Sequence, residues 1–139
     1  RRRLSPDAAV ARLGAAVPAA HVEFLRSFAD SISFGKYLFV HAGIRPGVDL
    51  SLQSQADLHW IRTPFLEDET DHGCTIVHGH TISYAVEWRS NRIGIDTGAY
   101  RSGVLTALGL EGDERWILDT ADRNEPPENR AGMNSPKNS

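Results

Sequence analysis

Six histidines occupy a chain of 139 residues, more than packing alone requires. Two of them, His41 and His80, stand at the ends of short apolar stretches beside glycine, in Val40-His41-Ala42-Gly43 and Gly79-His80-Thr81. A buried strand that runs out into such a corner aims a side chain into a cleft from a fixed backbone. A neutral imidazole placed there is either a ligand for a transition metal or a hydrogen-bonded core histidine. The 39 positions between them are no metal-binding spacing in themselves, so pattern alone leaves both readings open. His78 alternates with His80 across Gly79. On a strand the two point oppositely, which makes one of them structural. Trp60-Ile61-Arg62, followed by Pro64-Phe65, sets an arginine among bulky apolar residues. A guanidinium held there pairs with a carboxylate or grips an anion such as phosphate through its two-pronged fork; the alternative is a surface arginine lying over Trp60. Asp96-Thr97-Gly98 reads as a structural aspartate capping a turn, and the broken acidic run Asp57, Glu67, Asp68, Glu69 and Asp71 as a solvated loop.

These side chains need a frame, and the local patterns supply one. Ser5-Pro6-Asp7 opens a helix over 8–13, with Gly14 as its stop, and Pro18 starts a second helix. In that second helix Val22, Phe24, Leu25 and Phe28 form an apolar stripe expected to be core. The pattern turns to β at Ser31-Ile32-Ser33-Phe34, a Gly35-Lys36 turn and Tyr37-Leu38-Phe39-Val40, a hairpin feeding a buried strand that ends at His41. Residues 50–65 are expected to mix helix and loop. A second buried strand, Cys74-Thr75-Ile76-Val77, ends at the Gly-His corner. Further strands are expected over 85–89, 92–96, 104–110 and 116–118, the last two joined by a Glu111-Gly112-Asp113-Glu114 hairpin turn, with antiparallel pairing dominant. From residue 121 to 139 almost no apolar side chain remains to offset the entropy of ordering, and a disordered tail is expected.

Composition bounds the rest. The chain is one domain's worth, with 40% hydrophobic and 24% charged residues, an ordinary globular balance. Its net charge of −3 provides no bulk positive field for nucleic acid or an anionic membrane, so neither is expected as a partner. No apolar run approaches the roughly 18 to 20 residues that cross a bilayer. The single cysteine, Cys74, fits a reducing compartment, and a cytoplasmic location is expected. A phosphate-cradling Gly-rich loop, a paired-cysteine zinc motif and a Gly-x-Ser-x-Gly elbow are all missing from the sequence.

Taken together, four blocks are similar to the second half of the calcineurin-like metallophosphoesterases, nearest to the bacterial branch of the serine/threonine protein phosphatases. They are Phe39-Val40-His41-Ala42-Gly43-Ile44-Arg45-Pro46-Gly47, Leu58-His59-Trp60-Ile61-Arg62-Thr63-Pro64-Phe65, Val77-His78-Gly79-His80-Thr81 and Ile95-Asp96-Thr97-Gly98-Ala99. The resemblance implies a metal-dependent phosphoesterase in which two divalent ions (Mn2+, Fe or Zn2+) activate a hydroxide for in-line attack on a phosphoprotein or small phosphoester. It implies that His41 and His80 are two ligands of one metal and that Arg62 grips phosphate oxygens. The family's opening Gly-Asp-x-His, Gly-Asp-x-x-Asp-Arg-Gly and Gly-Asn-His-Glu blocks do not occur in this sequence. With Arg1 as its first residue, the chain reads as the C-terminal part of such a domain over 1–120, supplying only part of a site; the alternative is an inactive remnant or a phosphate- or metal-binding module. The expected fold is α/β, with N-terminal helices packed on a mainly antiparallel β-sandwich half. Two expectations follow for the site: His41 and His80 converge with nitrogens no more than about 4 Å apart, and His21, His59 and His72 lie elsewhere.

Overall fold

A computed structural model describes residues 5–121. The expected tail over 121–139 lies, but for Ala121, outside the described residues.

The chain opens with two helices, α1 (Pro6–Ala16) and α2 (Ala19–Arg26). The Ser5 hydroxyl caps α1 by accepting from the Ala8 N–H at 3.3 Å, as the Ser-Pro start requires. Gly14 does not end it; the helix continues to Ala16, because one glycine costs only about 1 kcal/mol inside a helix. Pro18 then stands at the N-cap of α2. The expected burial of the α2 stripe is overturned. Neither helix buries a residue, and Phe24, Leu25 and Phe28 are 63%, 59% and 59% exposed. Helical spacing makes an apolar face, but no layer of the described chain covers this one. Among the described residues no single helix is long and apolar enough to cross a membrane.

The framework is a five-stranded mixed sheet of β1 (Ser31–Phe34), β2 (Tyr37–Val40), β3 (Thr75–His78), β4 (Glu87–Trp88) and β5 (Arg92–Gly94), in the order β1-β2-β3-β5-β4. Its outer pairs, β1–β2 and β4–β5, are antiparallel, but β2–β3 and β3–β5 are parallel. The sheet is therefore not mainly antiparallel, as expected, at its centre. The segment joining β2 to β3 holds α3 (Gln55–Trp60), a crossover long enough to return the chain for parallel pairing. After β5, the short helix α4 (Ala99–Ser102) leads to an antiparallel hairpin of β6 (Thr106–Glu111) and β7 (Glu114–Asp119).

Side chains of the central strands alternate between two apolar clusters. One holds Leu38, Val40 and Ile76 with Ala42, Ile44, Leu58, Ile61 and Phe65 from the crossover. The other holds Tyr37, Val77 and Ile93, with Leu108 and Leu110 of the hairpin packed against it. Phe65, Ile44, Ile76 and Ile93 are fully buried, each contributing about 2 to 3 kcal/mol by leaving water. Sheet and crossover are stitched by Arg92, itself buried, whose guanidinium donates to the carbonyls of Leu66 (2.6 Å) and Asp68 (2.9 Å) and to Glu87 (3.2 Å). Asn91 adds two bonds of 3.0 Å to the Asp68 and Thr70 carbonyls.

Candidate functional site

Parallel pairing decides where the histidines go. Because β2, β3 and β5 run the same way, their carboxyl ends meet at one edge of the sheet, where the residues after each strand share a crevice. The register sets Phe39 opposite Val77 and His78 opposite Gly94. It continues beyond the strands: the Gly79 N–H donates to the His41 carbonyl at 2.9 Å, and the Ile95 N–H to the His78 carbonyl at 2.9 Å. His41, His80 and Asp96 thus follow three neighbouring strands at one level.

The backbone around His41 is held on both sides, by that bond from Gly79 and by the Ala42 N–H donating to the Leu58 carbonyl at 2.8 Å. Beyond it, the loop is clamped by Gln53, which accepts from the Arg45 N–H (2.7 Å) and donates to the carbonyls of Arg45 (3.0 Å) and Val48 (2.9 Å). Asp57 accepts two bonds from the Arg45 guanidinium, at 2.5 and 2.9 Å. Gly43 has φ +153°, and a Cβ there would lie 2.2 Å from the Phe65 ring. Only glycine admits this approach of backbone to ring.

His80 sits on a tighter corner. Its φ is +63°, the one positive value among the non-glycine described residues, and the Thr81 N–H closes the turn on the Gly79 carbonyl at 2.7 Å. The left-handed conformation costs an L-residue about 1 to 2 kcal/mol, and such outliers gather where a side chain must be aimed. Here it turns the His80 ring toward His41, with centroids 5.1 Å apart and planes at 60°. The indole of Trp60 stands perpendicular to His80, centroids 5.7 Å apart. Partial burial, then the charges of Arg62 and His41, lower the His80 pKa against the opposing pull of Asp96. The neutral ring this favours has one nitrogen lone pair to offer.

Arg62 reaches the same corner, Nη1 donating to the Thr81 hydroxyl at 3.0 Å. It is exposed and makes no ion pair among the described residues; water solvates its charge and Thr81 orients one prong. His78 takes the structural role: buried, its ring meets Phe65 edge to face at 5.0 Å, and burial foremost lowers its pKa. Asp96 caps its turn as expected, accepting from the Gly98 N–H at 3.0 Å, but it also lines the cavity beside Gly79 and His80. Sequence pattern had assigned it to the turn alone, and only the shared strand edge reveals the second position.

The cavity that His41, Trp60, His80 and Asp96 line has a volume of about 1000 Å³, with Arg62 and Thr81 outside its lining. His59 lines this cavity too, with Nε2 3.0 Å from Asp30, because α3 turns that face toward the α2–β1 connection, but it forms no three-ligand group with His41 and His80. His21 lies exposed on α2, and His72 lies beside Asp68 at 3.2 Å.

A metal can be tested against this geometry. Two imidazoles bound to one ion at about 2.1 Å, with a ligand angle of about 90 to 110°, place their ring centroids about 4.6 to 5.3 Å apart. The observed 5.1 Å falls in that span, so the ring separation is compatible with a shared ion. Among the described residues, however, no group of three or more histidine, cysteine, aspartate or glutamate side chains is placed to hold one ion. The described residues therefore show an imidazole pair and not a closed metal site.

No protein-family model matches this chain, and no curated protein matches it significantly.

Proposed function

We propose that this chain carries part of a metal-dependent phosphomonoesterase site of the serine/threonine protein phosphatase type, within a partial metallophosphoesterase fold. His41 and His80 are two ligands of a divalent ion (manganese, iron or zinc), and Arg62 is the phosphate-binding group. The observation that carries this reading is the meeting of the His41 and His80 rings at 5.1 Å across 39 positions of sequence, beside an arginine oriented by Thr81 and not spent on an ion pair. When bound, divalent metal lowers the pKa of water and neutralises charge on the phosphoryl oxygens. The chain's own residues do the remainder. The imidazoles are presented from backbones fixed at two strand ends, Thr81 holds one prong of the guanidinium, and the rest of the fork complements two oxygens of a phosphate. The substrate class is a phosphoprotein or small phosphoester.

A second reading has its own support. The want of a third ligand among the described residues favours a module that binds metal or phosphate without turning it over.

Titration calorimetry with Mn2+ and, separately, inorganic phosphate tests both readings. Manganese binding should be weak and vanish in both His41→Ala and His80→Ala. Phosphate binding should vanish in Arg62→Ala and only weaken in Arg62→Lys, since lysine cannot reproduce the fork. Metal binding indifferent to both histidine changes sinks the assignment.

A further inference from the structure

The cavity beside His41 and His80 is walled largely by carbon. Leu25 and Phe28 near the end of α2, Ile32 of β1 and Leu105 before β6 all line it, and each of the four is more than half exposed. A phosphate group gains nothing from such a wall; the alcohol part of an ester does. Trp60 lines the same cavity and is 73% exposed, although its ring stands against His80. Its backbone is not loose, because Trp60 ends α3 and the next residue, Ile61, is buried with its N–H donating to the Asp57 carbonyl at 3.1 Å. An open indole on a fixed support, two residues before the phosphate-binding arginine, is a stacking surface: every flat π-system finds a face on it, and the ring loses little entropy in binding.

Building on the phosphoesterase reading above, we propose that Trp60 is a specificity-determining platform, and that the phosphoester taken by this site carries a flat aromatic ring on its alcohol side. With the phosphate at Arg62, which sits at Thr81 outside the cavity lining, the ring reaches inward over the indole and its outer edge meets the apolar wall. Two substrate chemistries share this feature: a ring bonded directly to the ester oxygen, as in phenyl phosphate, and a ring carried beyond a sugar, as in adenosine monophosphate.

Binding to the 139-residue chain tests the proposal without requiring turnover. Inorganic phosphate, glycerol phosphate, phenyl phosphate and adenosine monophosphate are titrated while NMR follows the indole N–H signals, with Trp88 and Trp116 as internal controls. At least one aromatic ester should bind about tenfold more tightly than glycerol phosphate, the scale of one stacking contact, and should move the Trp60 signal selectively. The tighter of the two identifies the substrate chemistry. Trp60→Ala should bring the ratio of aromatic to glycerol ester affinity to about one, and Trp60→Phe should keep part of it. Equal binding of glycerol and aromatic esters, with inorganic phosphate still held through Arg62, overturns the platform and leaves the phosphoesterase reading standing. An aromatic preference that survives in Trp60→Ala also overturns it. Failure of every phosphate to bind removes both readings together.

Discussion

His80 carries two demands in conflict. Its backbone occupies a region that favours glycine, while its side chain is one of two imidazoles that meet at the sheet edge. Stability and function should therefore separate on substitution. His80→Gly relieves the left-handed strain and His80→Ala retains it, so the glycine variant should be more stable than the alanine variant by about 1 kcal/mol, while both lose metal binding. Chemical denaturation of the two proteins beside a manganese titration checks this. An alanine variant as stable as the glycine variant would mean the corner relaxes and the positive φ is not enforced. Gly43 presents the opposite case, a residue with no chemistry whose missing Cβ lets Phe65 pack beneath the loop that begins at His41.

At the level of elements, the site depends on how loops are fastened to the sheet. The loop after β2 is tied to α3 by the Arg45–Asp57 pair. The hydrogen bond from Arg45 foremost, and that from Ser54, hold the Asp57 carboxyl below its usual range. A depressed carboxylate pKa gives stability that is present above the unfolded value of about 3.9 and is lost as pH falls through the lower folded value. Asp57→Asn should therefore melt below the parent protein at pH 7, with the gap closing as the solution is acidified below about pH 4. The effect should be small, because half of the Arg45 side chain is exposed and water screens the pair. Thermal melts across pH 3 to 7 read it directly, and a gap that stays constant over that range would show that Asp57 acts through shape and not charge. The same fastening logic explains Arg92, buried at the start of β5, whose two terminal nitrogens donate to Leu66, Asp68 and Glu87 while Nε has no partner, fixing the segment that follows Arg62.

For the whole molecule, two apolar clusters on opposite faces of one sheet leave its carboxyl edge open, and the candidate site occupies that edge. Two histidines with no third ligand among the described residues hold an ion weakly. With manganese, this chain alone should hydrolyse para-nitrophenyl phosphate little or not at all, and what activity a complementing segment restores should disappear in His80→Ala. Robust hydrolysis by the chain alone, unaffected by changes at His41 and His80, would place the active site elsewhere. Much of this architecture was legible beforehand where its causes are local. The hairpin Ser31–Phe34 and Tyr37–Val40, the Ser5 cap and the Gly112-Asp113 turn follow from the residues that form them, since turn chemistry and β-propensity act over a few positions. His41, His80 and Arg62 were legible as chemistry-bearing types at strand ends and beside aromatic residues. Only the tertiary structure decided the remainder. Strand residues do not encode the direction of their neighbours, so the parallel pairing of β2, β3 and β5, and with it the approach of Asp96 to the histidines, could not be read from any one segment. A helical apolar stripe likewise states that a face exists and not what covers it, which is why the α2 side chains expected in the core instead stand exposed, with Leu25 and Phe28 walling a cavity.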